Sequence, residues 1–192
     1  MLALVAGLVL FLGTHSIRIF AYDWRESMRQ RLGQLTWRGL YSLVSLLGFA
    51  LIIWGYGAAR LSPVVIWVPP LWMAHLSALL LLFAFILVAA AYVPGNHIKA
   101  KLGHPLLAAV KLWALAHLLC NGMLADMLLF GGFLVWAIVD FAVSRRRDRA
   151  EGVTYPAVGA VRDIVVVIVG VAVYVAFALW LHERLIGVAP FG

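Results

Sequence analysis

The sequence predicts an all-α protein, an integral membrane bundle of about six transmembrane helices. Three observations carry that reading. Of 192 residues, 65% are hydrophobic and only 12% are charged, against about 45–50% and about 25% in soluble domains. The mean hydropathy is +1.02. The apolar residues also gather into stretches near the roughly 20 residues that a helix needs to cross the hydrocarbon core.

Six stretches qualify, at about Leu2–Phe20, Leu40–Ala59, Leu71–Val93, Pro105–Asn121, Leu124–Val143 and Ile164–Leu181. The first lacks a basic leader and a small-residue cleavage pattern, so it reads as a retained span rather than a signal peptide. Pro69-Pro70 introduces the third span and Pro94-Gly95-Asn96 ends it. Pro105 suits the first turn of the fourth span, which is the shortest and is interrupted by Lys111. Asn121-Gly122 reads as a tight turn into the fifth. There is no internal repeat and no low-complexity segment, so residues 1–192 read as one domain.

Charge supplies the topology. The net charge is +7, which in a soluble chain would suggest nucleic acid. Here every Lys and Arg except Arg60, Lys111 and Arg184 falls in or beside the loops after spans one, three and five. That asymmetry predicts cytoplasmic basic loops, with both termini on the other side, and makes nucleic-acid binding an unsuitable reading. Trp24, Trp37, Trp67, Trp72 and Trp180 lie near predicted span ends, as interfacial anchors do. One cysteine, Cys120, excludes an internal disulfide.

Chemistry is sought where ionisable groups stand at membrane depth, because such groups are costly and face bundle interiors or cavities. His15 and His117 lie inside apolar runs; His75 and His104 stand at the edges of two more. Gly7, Phe11 and His15 recur at helical spacing with Arg18 one turn on, and Trp113, His117 and Asn121 do the same on the fourth span. Taken singly, each histidine reads as a packed polar residue; several in so small a chain point to a shared site. His97 and His182 read as solvated. Lys111 is expected to snorkel toward Asp140 and form a structural ion pair, with binding of anionic groups such as haem propionates as the alternative. Asp126 is placed near the outer surface. No HExxH, Gly-rich phosphate loop, GxSxG or cysteine pair is present. Ser42 and Ser45 read as close helix contacts rather than nucleophiles. The scatter of the histidines along the membrane normal disfavours zinc.

The strings Leu12-Gly13-Thr14-His15-Ser16-Ile17-Arg18, Tyr92-Val93-Pro94-Gly95-Asn96, Gly103-His104-Pro105 and Lys111-Leu112-Trp113-Ala114-Leu115-Ala116-His117 resemble the bacterial NnrU family over nearly the whole chain. The resemblance implies a multi-pass protein of the bacterial inner membrane, linked to expression of nitrite and nitric oxide reductases in denitrification. NnrU proteins are in turn similar to the haem-containing ζ-carotene cis–trans isomerases of plants. That similarity implies haem b on axial ligands His15 and His117, with His75 and His104 as supporting groups and Arg18 or Lys111 near the propionates. It also implies redox or nitric oxide sensing, or isomerase-like action on a hydrophobic molecule such as a polyene. Position 114 is alanine here where the isomerases carry a cysteine, so thiol-based ligand exchange does not carry over.

Depth and resemblance disagree on the second ligand. At 1.5 Å per residue, His15 and His117 are offset by roughly 10–12 Å along the membrane normal, whereas His75 and His117 lie nearly level. His117 belongs to both pairs. Two other readings stand beside the haem protein. One is a non-catalytic accessory factor in the maturation of respiratory enzymes. The other is a membrane methyltransferase-like enzyme, since Gly103-His104-Pro105 resembles the Arg-His-Pro element of isoprenylcysteine-type methyltransferases but lacks its arginine.

Overall fold

The structure is a computed structural model describing residues 1–190. Among the described residues, nine α-helices run in the order α1 (Leu2–Phe20), α2 (Tyr22–Leu32), α3 (Gln34–Arg60), α4 (Trp72–Tyr92), α5 (His97–Leu102), α6 (Pro105–Cys120), α7 (Leu124–Glu151), α8 (Ala160–Ala176) and α9 (His182–Ile186), with a π-helical turn at Phe177–Leu181 joining α8 to α9. Each of the six expected stretches is helical. Five helical stretches are long and apolar enough to cross a bilayer, and α6 is a shorter apolar helix. Its 16 residues reach about 24 Å at 1.5 Å per residue, short of the roughly 30 Å hydrocarbon core.

Four boundaries move outward from the sequence reading. Helix α3 starts at Gln34 rather than at residue 40, α7 runs on to Glu151, and the last span extends in both directions. The added turns are polar: at the ends of a membrane helix, charged residues continue the helix into the headgroup region, where water satisfies them. Helix α2 is such a polar segment lying between spans, its Arg25 and Arg29 both paired with Glu26.

The spans neighbour one another in the order α3, α1, α7, α6, α4, α8. The α1–α3 seam is closed by glycine. A Cβ on Gly7 would stand 2.6 Å from the Ile52 amide nitrogen, and one on Gly48 would stand 2.8 Å from that of Phe11. Close backbone approach of this kind is how membrane helices gain packing contact without a hydrophobic driving force. These glycines carry the seam, while Ser42, expected at a close helix contact, lines a cavity. Gly122 also serves by close approach. The amides of Ile66 and Trp67 donate to its carbonyl at 2.8 and 3.2 Å, and a Cβ there would collide with the Trp67 carbonyl. The connector between α3 and α4 is thereby pinned to the start of α7.

The basic loops meet at one end of the bundle. Arg147 donates to the Arg18 carbonyl at 3.0 Å, the Val158 amide donates to Gly95 at 2.9 Å, and the His97 ring contacts Asp163 at 2.6 Å. At that end α1, α4, α6 and α7 surround open space. Among the described residues, no Cα of α3 comes within 8 Å of α4 or α6.

Candidate functional site

That space is a cavity of about 750 Å³, within the roughly 300–1,000 Å³ of small-molecule sites. Its floor is α7, through Trp136, Asp140 and Ser144 at helical spacing. Tyr41 and Ser42 of α3 form one wall, and Ala91, Tyr92, Leu106 and Leu107 of α4 and α6 form the facing wall. Because α3 does not approach those helices, a gap separates the two walls. Arg18, Arg25, Arg29, Arg38 and Lys99 ring the mouth.

His15 lies on this cavity. Its Nδ1–H donates to the Phe11 carbonyl at 2.7 Å, so Nε2 carries the lone pair. The ring is stacked on Phe11 at 4.2 Å and edged by Tyr41 and Trp136 at 5.3 and 6.1 Å between centroids. An imidazole whose Nδ1–H is fixed by a carbonyl and whose Nε2 is free has the arrangement of a metal ligand. Trp136 Nε1 is buried with no hydrogen-bond partner among the described residues. Asp140 is 7% exposed and accepts a hydrogen bond from the Ser144 hydroxyl at 3.0 Å.

His104 and Arg18 share the cavity with His15. His104 sits at the N-terminus of α6, and its Nε2 lies 2.9 Å from Asp148 Oδ2. The contact is electrostatic rather than a well-directed hydrogen bond, since Nε2 is buried without one. The Tyr155 hydroxyl donates to the same carboxylate oxygen at 3.0 Å. Burial first, and then this hydrogen bond, hold the Tyr155 phenol above its usual range.

His117, His75 and Lys111 are outside the cavity. His117 makes the same local bond as His15, Nδ1–H to the Trp113 carbonyl at 2.8 Å, but its ring is stacked on Phe130 at 4.5 Å and lies 5.2 Å from Trp113. Between the two histidines stand Phe11, Phe133 and Trp113, each ring touching the next at 5.6–5.8 Å. His75 is exposed near the opposite end of the bundle.

Two expectations about acidic residues are corrected. Lys111 does not pair with Asp140; its Nζ lies 3.6 Å over the Phe141 ring, while Asp140 turns toward Ser144. The quadrupole of a ring one position along the helix offers a desolvated ammonium a partner without burying a second charge. Asp126 is not a simple surface residue. At 4% exposure it accepts from the Tyr56 hydroxyl at 2.6 Å and from the Met123 amide at 3.0 Å, tying α3 to the start of α7. His97 is exposed as expected, with Asp163 as its partner, whereas His182 is half-buried, bonded to the Val188 carbonyl and edged by Phe177.

The sequence reading missed Asp148, Tyr155, Tyr41 and Trp136. For Asp148 a signal was present: a single carboxylate set into Arg145-Arg146-Arg147-Asp148-Arg149 breaks a run whose cations alone would serve topology.

No curated protein and no solved structure matches this chain. The family model described as NnrU protein matches residues 3–190, and the chain belongs to that family.

Proposed function

We propose that this chain binds haem b in the cavity at its arginine-rich end, with His15 Nε2 as the iron ligand. Arg18 and the neighbouring mouth arginines face the propionates. The single observation that carries the reading is the coincidence of His15, its Nε2 unspent, with a cofactor-sized cavity bordered by cations. Tyr41, Trp136 and Phe11 supply a flat aromatic surround. Haem, when bound, supplies one-electron chemistry and binding of diatomic gases. The chain's own residues supply the ligand, the counter-charges and the apolar walls.

In this reading the protein lies in the bacterial inner membrane with its basic loops cytoplasmic and both termini periplasmic. Its bound state is linked to expression of the nitrite and nitric oxide reductases of denitrification through redox or nitric oxide sensing. Isomerase-like action on a polyene in the same cavity is the catalytic form of the proposal. Protein purified after expression with ample haem is expected to show a Soret band that His15→Ala abolishes or shifts and His117→Ala leaves in place. Absence of the band, or indifference to His15→Ala, overturns it.

One observation favours a second reading, a non-catalytic accessory factor for respiratory enzymes: the packed rings between His15 and His117 leave the implied axial pair unassembled. Rescue of a denitrification-deficient deletion strain by the His15→Ala/His117→Ala double variant supports that reading over the first.

A further inference from the structure

The three intramembrane or membrane-edge imidazoles with defined partners do not present the same nitrogen. His15 and His117 each give Nδ1–H to the carbonyl one turn earlier. His104 instead turns Nε2 to Asp148 Oδ2 at 2.9 Å. The contact is out of line for a hydrogen bond, but a lone pair this close to a carboxylate oxygen is repelled, so the carboxylate favours the tautomer with the proton on Nε2 and the lone pair on Nδ1. The His104 side chain makes no capping bond to α6, which leaves Nδ1 for the cavity that the residue lines.

The surroundings hold this arrangement in place. Tyr155 donates to the same Asp148 oxygen, so the carboxylate is fixed from a second side. Gly103 has φ +71°, and a Cβ there would stand 2.9 Å from Arg145 Nη1 and 3.2 Å from both Asp148 Oδ2 and Tyr155 Cε2. The absence of a side chain at Gly103 therefore lets the Gly103 backbone, just before His104, pack directly against the Asp148–Tyr155 pair. The side chains of His104 and Asp148 are only 17% and 14% exposed, so bulk water screens the contact weakly.

We propose that His104, oriented by Asp148, is the proton-accepting group of this cavity, acting on a lipid-soluble ligand that carries a weakly acidic hydroxyl of the carboxylic, enolic or phenolic class. The ligand O–H bond breaks and an N–H bond forms at Nδ1. The electron pair stays on the ligand oxygen, whose charge is met by the cations of the cavity, Arg18 and Arg38 among them. Asp148, 2.9 Å from Nε2, stabilises the imidazolium by its charge, the electrostatic part of the role a carboxylate plays behind a histidine general base. Reversal returns the proton, and no oxidant or reductant is needed. Asp148 and Tyr155 are positioning residues. The gap between α3 and the α4–α6 wall is the route by which the proposed ligand enters. The inference rests on the reading of this cavity as the ligand site but not on the ligand being haem.

The test uses the full haem-free chain in nanodiscs, with ¹⁵N-labelled histidine. In the wild type His104 is expected as the Nε2–H tautomer, opposite to His15 and His117. Asp148→Asn should mix its tautomers and Asp148→Glu should restore the wild-type state. Diethyl pyrocarbonate should modify His104 at Nδ1 in the folded wild type, and benzoate, which stands for the deprotonated ligand and meets the same cavity cations, should slow that modification several-fold. A His104 found as the Nδ1–H tautomer, unreactive toward the reagent, or unprotected by benzoate overturns the proposal. The tautomer and the reactivity are read on the wild type, so an unfolded Asp148 variant does not blunt the test. A missing Soret band leaves these measurements untouched, and a wrong tautomer leaves the Soret test untouched.

Discussion

His15 and His117 are the same local device in two different surroundings. Each sits on a membrane helix, gives Nδ1–H to the carbonyl four residues back and lies flat on a phenylalanine ring. Beyond the His15 ring is a cavity edged by arginines. Beyond the His117 ring are Phe130, Trp113 and the core formed by Leu4, Leu8, Leu129 and their neighbours. The lesson is that local sequence sets which nitrogen an imidazole offers, while the packing of other helices sets whether anything can reach it.

That comparison can be strained from both sides. The largest effect is expected at the packed end. Phe130 is 6% exposed and touches His117, Trp113 and Tyr56, so Phe130→Ala should cost about 3–5 kcal/mol. Arg38→Ala, at the cavity mouth, should stay within about 0.5 kcal/mol. Equilibrium unfolding in mixed micelles reads both; similar losses at the two sites would dissolve the distinction.

A smaller effect is expected at Lys111. Were it paired with Asp140, removing it would leave a buried carboxylate uncompensated and cost about 3–5 kcal/mol. A cation over Phe141 is worth about 0.5–2 kcal/mol, offset by the expense of a cation within a span. Lys111→Met is therefore expected to leave stability near the wild type or raise it, as read by the same unfolding curves. A loss on the ion-pair scale would reinstate the Asp140 pairing.

The smallest effect concerns alkaline pH. Because the folded state raises the Tyr155 phenol, its contribution is fully present below the unfolded phenol value of about 10 and is lost as pH rises through the folded value. Tyr155→Phe should lower thermal stability slightly at neutral pH, where the hydrogen bond to Asp148 is lost, and should shallow its alkaline fall. An unchanged alkaline limb would remove Tyr155 from the account.

Much of the architecture was legible in the chain. The spans follow from apolar length, and their alternation places the basic loops together at one end, where Arg147 meets Arg18. Helix ends were blurred because polar residues such as Arg38 and Arg145 continue a helix past the hydrocarbon as readily as they end it. Of the candidate residues, His15, Arg18 and His104 converge on one cavity, whereas His117, His75 and Lys111 lie elsewhere. Spacing along a helix gives a face but not the neighbour that the face meets, so Tyr41 and Trp136 beside His15 had no signature.

By itself, the sequence determined the fold class, the number of spans, the segregation of charge and the Nδ1–H bonds of His15 and His117, because each depends on residues within a few turns of one helix. Tertiary structure alone decided that α3 stands apart from α4 and α6, that three aromatic rings fill the space between His15 and His117, and that His104 meets Asp148. Those outcomes depend on side chains far apart in sequence competing for the same volume, and that competition is resolved only when the helices pack.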